Sequence, residues 1–214
     1  MNYDRIYEYR FKQVAHEKKK VIWTLIAEYF YKKLGKPQRI LDSAGGMCEF
    51  INAVPSPEKW TVDIVEAIKN YASPEVNLII GDILKVELPE NYFDAVFISN
   101  FLEHLHSQEE VAFFLERMYK CLKPGGKIGI IGPNFKYCYR QYFDFADHTV
   151  VLSELGVEEH LYGAGFKIHE SHARFLPLSF RGGLPVHPLL VKLYLAMPFT
   201  WWVLGKQFLI VGEK

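Results

Sequence analysis

The sequence carries only three cysteines, Cys48, Cys121 and Cys138. They are odd in number and widely spaced, which excludes a disulfide framework and shows no zinc-ligand spacing. They fit a reducing cytoplasm. Charge of one sign is not in excess: 25 Lys and Arg stand against 25 Asp and Glu. A polynucleotide partner favours a basic excess to neutralise phosphates, so this balance argues against nucleic acid. No apolar run is long enough for a spanning helix, which needs about 20 residues. The longest, from Pro188 to Leu204, is interrupted by Lys192 and Pro198. The first residues, Met1-Asn2-Tyr3-Asp4-Arg5, are polar and lack the apolar core of a signal peptide. Internal repeats and low-complexity tracts are absent as well. What remains is globular composition, half apolar and 23% charged, over 214 residues, enough for one sizeable core.

The apolar pattern sets the fold. Residues 12–34 repeat at helical steps through Val14, Val21, Ile22, Leu25, Ile26, Tyr29 and Phe30. Lys18, Lys19 and Lys20 read as a solvated face, with a weak anionic-surface contact as the alternative. The period then changes. Strands are expected at 39–42, 60–63, 76–80, 93–99 and 127–131, with helical pieces at 48–54, 64–71 and 108–122 between them. Lys123-Pro124-Gly125-Gly126 stops the last of these. Further strands are expected at 167–174 and 207–211, on either side of an irregular segment, 175–205, rich in Pro, Leu and aromatics. Alternating short apolar strands and helices imply βαβ units around a parallel sheet. Right-handed crossovers place the strand carboxyl ends along one edge, where ligands bind. The expected architecture is a three-layer αβα, Rossmann-like seven-stranded sheet, mostly parallel with an antiparallel last strand and a C-terminal cap insertion. Residues 1–214 are read as a single domain: a helical cap at 1–36, a cofactor-binding core at 37–174, a substrate cap at 175–205 and the last strand at 206–214.

Three signals fall on that edge. Asp42-Ser43-Ala44-Gly45-Gly46-Met47-Cys48 is a small-residue turn after a buried strand, where Ala44, Gly45 and Gly46 let backbone amides approach a ligand. Asp63 closes the second strand and can accept both hydroxyls of a ribose; a helix cap is the plainer alternative. Ile64 follows it. Gly81-Asp82-Ile83 ends the third strand, where Asp82 can accept from an adenine amino group and Ile83 can pack on the ring; a simple Gly-Asp turn is the alternative. A Gly-x-Gly-x-x-Gly after the first strand, which a nicotinamide dehydrogenase wants, is missing.

The run Arg39-Ile-Leu-Asp-Ser-Ala-Gly-Gly-Met-Cys-Glu-Phe resembles the first motif of class I S-adenosylmethionine-dependent methyltransferases. Asp63 resembles their ribose-binding acid and Gly81-Asp82 their adenine-side acid. Ser99-Asn100-Phe101-Leu102-Glu103-His104-Leu105 resembles the motif after the fourth strand, and Leu122-Lys123-Pro124-Gly125-Gly126 the turn before the fifth. Cys48–Asn52, Phe145-Ala146-Asp147-His148, Arg174–Pro177 and Leu204–Gln207 extend the resemblance to a bacterial subgroup associated with glycan and secondary-metabolite gene sets. Of the three family glycine positions in the first motif, only Gly46 keeps glycine; Ala44 and Cys48 fill the others. Ala tolerates little positive φ, so the loop is expected to sit slightly differently.

The resemblance implies S-adenosylmethionine as cofactor and S-adenosylhomocysteine as product, with Asn100 shaping the methionine end. It implies methyl transfer by in-line displacement. Orientation supplies much of the acceleration, and a base removes the proton of a hydroxyl acceptor. His148, Asp147 and His104 are the candidate acid/base residues, and Tyr137, Tyr139 and Arg174 the candidate acceptor contacts. Arg10 is the candidate for the cofactor carboxylate by charge complementarity. Some family members hold a divalent metal with Glu-x-x-Glu-His. Asn100 replaces the first Glu here, so no metal is expected and a Glu103/His104/His148 site is the alternative. The acceptor is expected to be a small molecule or glycan, with O-methylation of a sugar or metabolite hydroxyl read first. N- or C-methylation, or a non-catalytic cofactor-binding partner, are the alternatives. Residues 174–214 hold seven aromatics and five Lys or Arg against one acid, Glu213. They are expected to pack as a cap; peripheral contact with the inner membrane face through 188–204, or a dimer interface, are the alternatives.

Overall fold

We describe residues 5, 6, 9, 16–178 and 187–214 in a computed structural model of the chain. Met1 to Asp4, Arg10 and Val14, named above, lie outside the described residues, as do residues 179–186 of the segment 174–214.

Helix α1 (His16–Lys33) leads into β1 (Arg39–Asp42), and a short helix α2 (Glu49–Ala53) connects β1 to β2 (Glu58–Asp63). A 3-10 turn, Glu66–Asn70, precedes β3 (Val76–Ile80). Strand β4 (Phe93–Ser99) is followed by a second 3-10 turn, Leu102–His104, and then by α3 (Gln108–Cys121). Strand β5 (Leu122–Pro133) is succeeded by the short α4 (Phe135–Cys138) and a third 3-10 turn, Tyr142–Asp144. Helix α5 (Glu154–Gly163), β6 (Lys167–His172), α6 (Pro188–Ala196), α7 (Pro198–Leu204) and β7 (Gln207–Glu213) complete the order.

The seven strands form one sheet in the order β3-β2-β1-β4-β5-β7-β6. Strands β1 to β5 pair in parallel, and β7 inserts antiparallel between β5 and β6. The chain winds from β1 out to β3, then returns to place β4 on the other side of β1. That reversal is the topological switch point of an open α/β sheet. Central strands buried on both faces need continuous apolar runs; in β4, Ala95, Val96, Phe97 and Ile98 are all fully buried.

Each face of the sheet carries its own core. On one, Val111, Phe114, Leu115 and Met118 of α3 and Val157 and Leu161 of α5 meet Val96, Ile98, Ile128 and Ile130. On the other, Ile22, Ile26 and Phe30 of α1, Phe50 and Ile51 of α2, Leu195 of α6 and Trp201 of α7 meet Ile40, Phe97 and Leu209. Fully burying each such side chain stabilises the fold by roughly 1.5–3 kcal/mol. These are the three layers expected.

Some boundaries shift. Strand β5 begins at Leu122, because Lys123–Gly126 continue as strand past a bulge against β4. Strand β6 ends at His172, two residues before Arg174. Within the segment 175–205, the apolar run Pro188–Leu204 also reads as a helix broken near Pro198, and the structure has it so: α6 and α7 meet at Met197, just ahead of Pro198. Helix α5 has weak sequence signals, with Gly156 and Gly163 inside it. Glycine is the poorest ordinary helix former. It is started instead by Ser153, whose hydroxyl accepts from the Gly156 amide.

Candidate active site at the carboxyl edge

The first loop is shaped by packing and by two left-handed residues. The Gly45 amide donates to the Val62 carbonyl at 3.1 Å. A β-carbon on Gly45 would stand 2.2 Å from Thr61 Oγ1, so β2 itself demands glycine there. Gly46 takes φ +54 with open space around it. Cys48 takes φ +58 while fully buried as the residue capping α2. Ala44 is not among the positive-φ residues, so the expected adjustment of the loop falls on Cys48 instead. Burial pushes the Cys48 thiol up to about 12 and those of Cys121 and Cys138 up to about 11, which keeps all three as inert thiols.

The acids of the β1–β3 side are held by backbone. Asp63 accepts from the Gly46 amide through Oδ2 and from the Val65 amide through Oδ1, both at 2.8 Å. Burial raises its pKa, against the pull of those amides. The Gly81 amide donates to the Asp63 carbonyl at 2.9 Å, fixing the end of β3 beside the end of β2. Asp82 then accepts from the Leu84 amide at 3.0 Å and pairs with Lys85 at 2.9 Å. Partial burial opposes its ionisation, but Lys85 and the Leu84 amide outweigh it and its pKa is lowered. Ile64 is 61% exposed beside Asp63, whereas Ile83 is buried in the core under α3.

Asp42 is the unusual group of this side. It is 3% exposed, and its pKa is raised to about 8. Burial is the main cause; the Ala44 amide works against it, and the charges of Asp63 and Glu49 add to it. Three acids thus converge under one small-residue loop. Lys19 of α1 reaches over this loop to pair with Glu49 and to contact Met47 Sδ at 3.7 Å. The lysine read as solvated is therefore an anchor of the N-terminal helix on the loop. Sequence reasoning missed Lys19, Glu49 and the role of Asp42; an acid directly after the apolar pair Ile40-Leu41, at the buried end of β1, was the available signal.

The β4–β5 side is built from two distant segments. Asn100 turns the chain after β4 at φ +48, and its amide donates to the Ile131 carbonyl at 2.9 Å. Asn readily adopts this left-handed conformation. The turn that follows presents Glu103, 1% exposed, and His104. The loop after β5 is stitched onto it: the Thr149 and Val150 amides donate to the Glu103 carbonyl at 2.8 and 3.2 Å, and Thr149 Oγ1 donates to the Leu105 carbonyl. This brings His104 Nδ1 within 3.0 Å of the Asp147 carbonyl and 3.5 Å of Asp147 Oδ2. The His148 ring stacks on Phe145, 4.8 Å between centroids, and lies 5.0 Å from the His104 ring. Ligand atoms of Glu103, His104 and His148 all lie within 4.8 Å of one another. The two acid/base sets read separately in the sequence are thus one cluster, and Asp147 faces His104 rather than serving only its neighbour in sequence. Such a group can accept a proton, and its spacing also suits a divalent cation.

The expected acceptor contacts are less gathered. Arg174 lies over the Tyr137 ring at 4.9 Å. Its Nε donates to the Gly205 carbonyl at 2.8 Å and its Nη2 to the Val203 carbonyl at 2.9 Å, so it fastens the end of α7. Tyr139 is 54% exposed and accepts from Arg140 Nε at 3.1 Å.

Comparison with known proteins agrees with this layout. Residues 41–130 match the family described as methyltransferase domain. The chain is 33% identical over 137 residues to phosphoethanolamine N-methyltransferase of Plasmodium falciparum, covering 57% of this chain and 51% of that protein. It is 28% identical over 109 residues to the ubiquinone/menaquinone biosynthesis C-methyltransferase UbiE of Cupriavidus metallidurans, covering 44% of this chain and 42% of that one. The chain thus spans about half, or less, of the curated relatives it matches. A crystal structure of a SAM-dependent methyltransferase from Archaeoglobus fulgidus superposes over 100% of both chains with a TM-score of 0.69 at 21% identity. The cofactor implied, S-adenosylmethionine, carries two positive charges beside a carboxylate. The acid-rich loop at Asp42, Glu49 and Asp63 suits a cation, so these residues fit it. Residues 41–130 thus match a methyltransferase domain, and the chain shares the fold of a solved SAM-dependent methyltransferase.

Proposed function

We propose that the chain transfers the methyl group of S-adenosylmethionine to a hydroxyl oxygen of a small molecule, a sugar or another metabolite, with a base from the His104/Asp147/His148 cluster. The observation that carries this reading is the stitching of two distant loops, which puts His104 against Asp147 and both beside His148. Bound cofactor supplies an electrophilic methyl on sulfur. Asp63, pinned by the Gly46 and Val65 amides, is oriented to receive the ribose hydroxyls, with Ile64 exposed beside it for an apolar contact. Asp82 stands at the neighbouring strand end for the adenine side. Ala44, Gly45 and Gly46 let the loop approach the cofactor, and Asn100 closes its methionine end.

On the acceptor side, His104 donates its Nδ1 hydrogen to the Asp147 carbonyl, which leaves Nε2 to take a proton. A hydroxyl needs that proton removed as the methyl arrives; a neutral amine does not. Tyr137 and Arg174 would line the approach, and the segment 175–205 would select the acceptor. The sugar class rests on the subgroup resemblance alone. The even charge balance speaks against a polynucleotide acceptor.

A second reading is N-methylation, favoured by the activity named for the Plasmodium relative. Purified protein with methyl-labelled cofactor, offered matched panels of hydroxyl, amine and carbon-acid acceptors, separates them. Label in a base-stable ether product supports the proposal. Label confined to amines or carbons overturns the oxygen assignment, and failure to take up the cofactor overturns the whole reading.

A further inference from the structure

The helix pair before the last strand has an outer surface that the methyl-transfer reading does not use. On α6, Leu189, Leu190 and Leu193 are 45–58% exposed, while Leu195 turns into the core. On α7, Phe199, Trp202 and Val203 are 67–76% exposed at i, i+3 and i+4, while Trp201 turns inward at 3%. An amphipathic helix normally shows its polar stripe to water; here both helices are apolar inside and outside.

The pair is held rigidly enough to present that surface. Trp201 Nε1 donates to the Tyr194 carbonyl at 2.7 Å, Thr200 Oγ1 to the Met197 carbonyl at 2.7 Å, and Arg174 fastens the end of α7. The outer side chains are therefore displayed by a built scaffold, not left over from poor packing.

Charge selects the occupant. From Ser171 to Gly212 the sequence contains no Asp or Glu, although it contains Arg174, Arg181, Lys192 and Lys206. Lys192 is exposed on α6. Its charge is felt by Glu28 of α1, which already pairs with Lys32 at 2.9 Å. A protein partner with an apolar face would not require acids to be missing over 42 residues. An anionic lipid surface would, because each acid near it is repelled while each Lys adds attraction. Leu, Phe and Trp on the exposed face with Lys beside them is the composition of a helix lying in the headgroup plane. Among the described residues no helix is long and apolar enough to cross a membrane, so contact would be lateral.

We propose that the outer faces of α6 and α7 dock the protein on an anionic membrane surface, with Leu189, Leu193, Phe199, Trp202 and Val203 inserted among the headgroups and Lys192 on the lipid phosphates. The proposal is independent of the methyl acceptor.

The test is sedimentation of the full chain with vesicles of phosphatidylcholine alone and of equal parts phosphatidylcholine and phosphatidylglycerol. The protein is expected to pellet with the mixed vesicles, with tryptophan emission shifted to the blue. Phe199→Ser/Trp202→Ser/Val203→Ser is expected to weaken partitioning by at least roughly tenfold. Lys192→Glu is expected to weaken it severalfold, and high salt to release the protein. Trp202→Phe should keep the binding and lose most of the spectral shift, which holds the test open if the triple variant fails to fold. No pelleting with the mixed vesicles, or unchanged binding in a folded triple variant, overturns the proposal. So does a wild-type dimer that the triple variant turns into a monomer without either species binding vesicles.

Discussion

The two sides of the carboxyl edge are built on different principles. On the β1–β3 side, carboxylates are fixed by backbone amides of the loops at the strand ends: Asp63 by Gly46 and Val65, Asp82 by Leu84. On the β4–β5 side, imidazoles are fixed by one loop laid over another, with His104 meeting Asp147 43 residues away. Backbone amides on a sheet edge are pre-organised for a ligand that must always sit in the same place. A loop-on-loop contact can diverge with the acceptor while the first side stays constant. Affinity for cofactor and rate of transfer should therefore fail separately.

The largest effect that sharpens this comparison is expected at His104. His104→Ala should lower kcat by roughly 10²–10⁴-fold, the usual worth of general base catalysis. Cofactor affinity, read by calorimetric titration, should stay within about threefold, since removing this imidazole touches no amide of the first loop. If affinity collapsed with kcat, the two sides would be one unit and the comparison would break.

Asp63→Asn comes next. It keeps the shape of the side chain and loses the charge. Losing a charge-assisted hydrogen bond costs about 1.5–3 kcal/mol, so cofactor binding should weaken roughly tenfold to a hundredfold. The rate at saturating cofactor should change far less. Equal affinity in the variant would remove Asp63 from the cofactor site.

The two sides also differ in how much of them can be read without coordinates. Strands β1, β3 and β4 match the expected bounds residue for residue, because each is built around a short run of apolar residues: Ile40-Leu41, Leu78-Ile79-Ile80 and Ala95–Ile98. Asp63 and Asp82 were legible because each stands at the carboxyl end of a strand, where ligands of such a sheet bind. The cluster at His104 and His148 was legible in residue type but not in partnership. Its geometry depends on the Thr149 and Val150 amides reaching the Glu103 carbonyl, and no local pattern encodes a contact of that span. Lys19 was misread because a lysine on a helix face usually faces water; only the position of α1 above the first loop turns it toward Glu49. Helix α5 was missed because capping by Ser153 and packing of Val157 and Leu161 outweigh the poor propensity of its glycines.

The smallest expected effect, and the one that bears on the first side alone, is a proton. Asp42 has its pKa raised from 3.8 to about 8, chiefly by burial. In the unfolded chain the carboxyl ionises near 3.8, so its folded state binds a proton that the unfolded state releases. The sign follows: below about pH 4 Asp42 makes no difference to stability, and between pH 4 and pH 8 the cofactor-free protein should become progressively less stable as pH rises. A cation beside Asp42 reverses the balance by favouring the charged form. Cofactor binding at pH 7 should therefore release up to one proton, and affinity should rise with pH by at most about tenfold per unit, flattening above pH 8. Calorimetric titrations in two buffers of different ionisation heat measure the released proton directly. Asp42→Asn should abolish the release and flatten the pH profile of cofactor affinity. If the variant still released the proton, the titrating group would lie outside the first loop, and Asp42 would not be the residue that answers to the cofactor's charge.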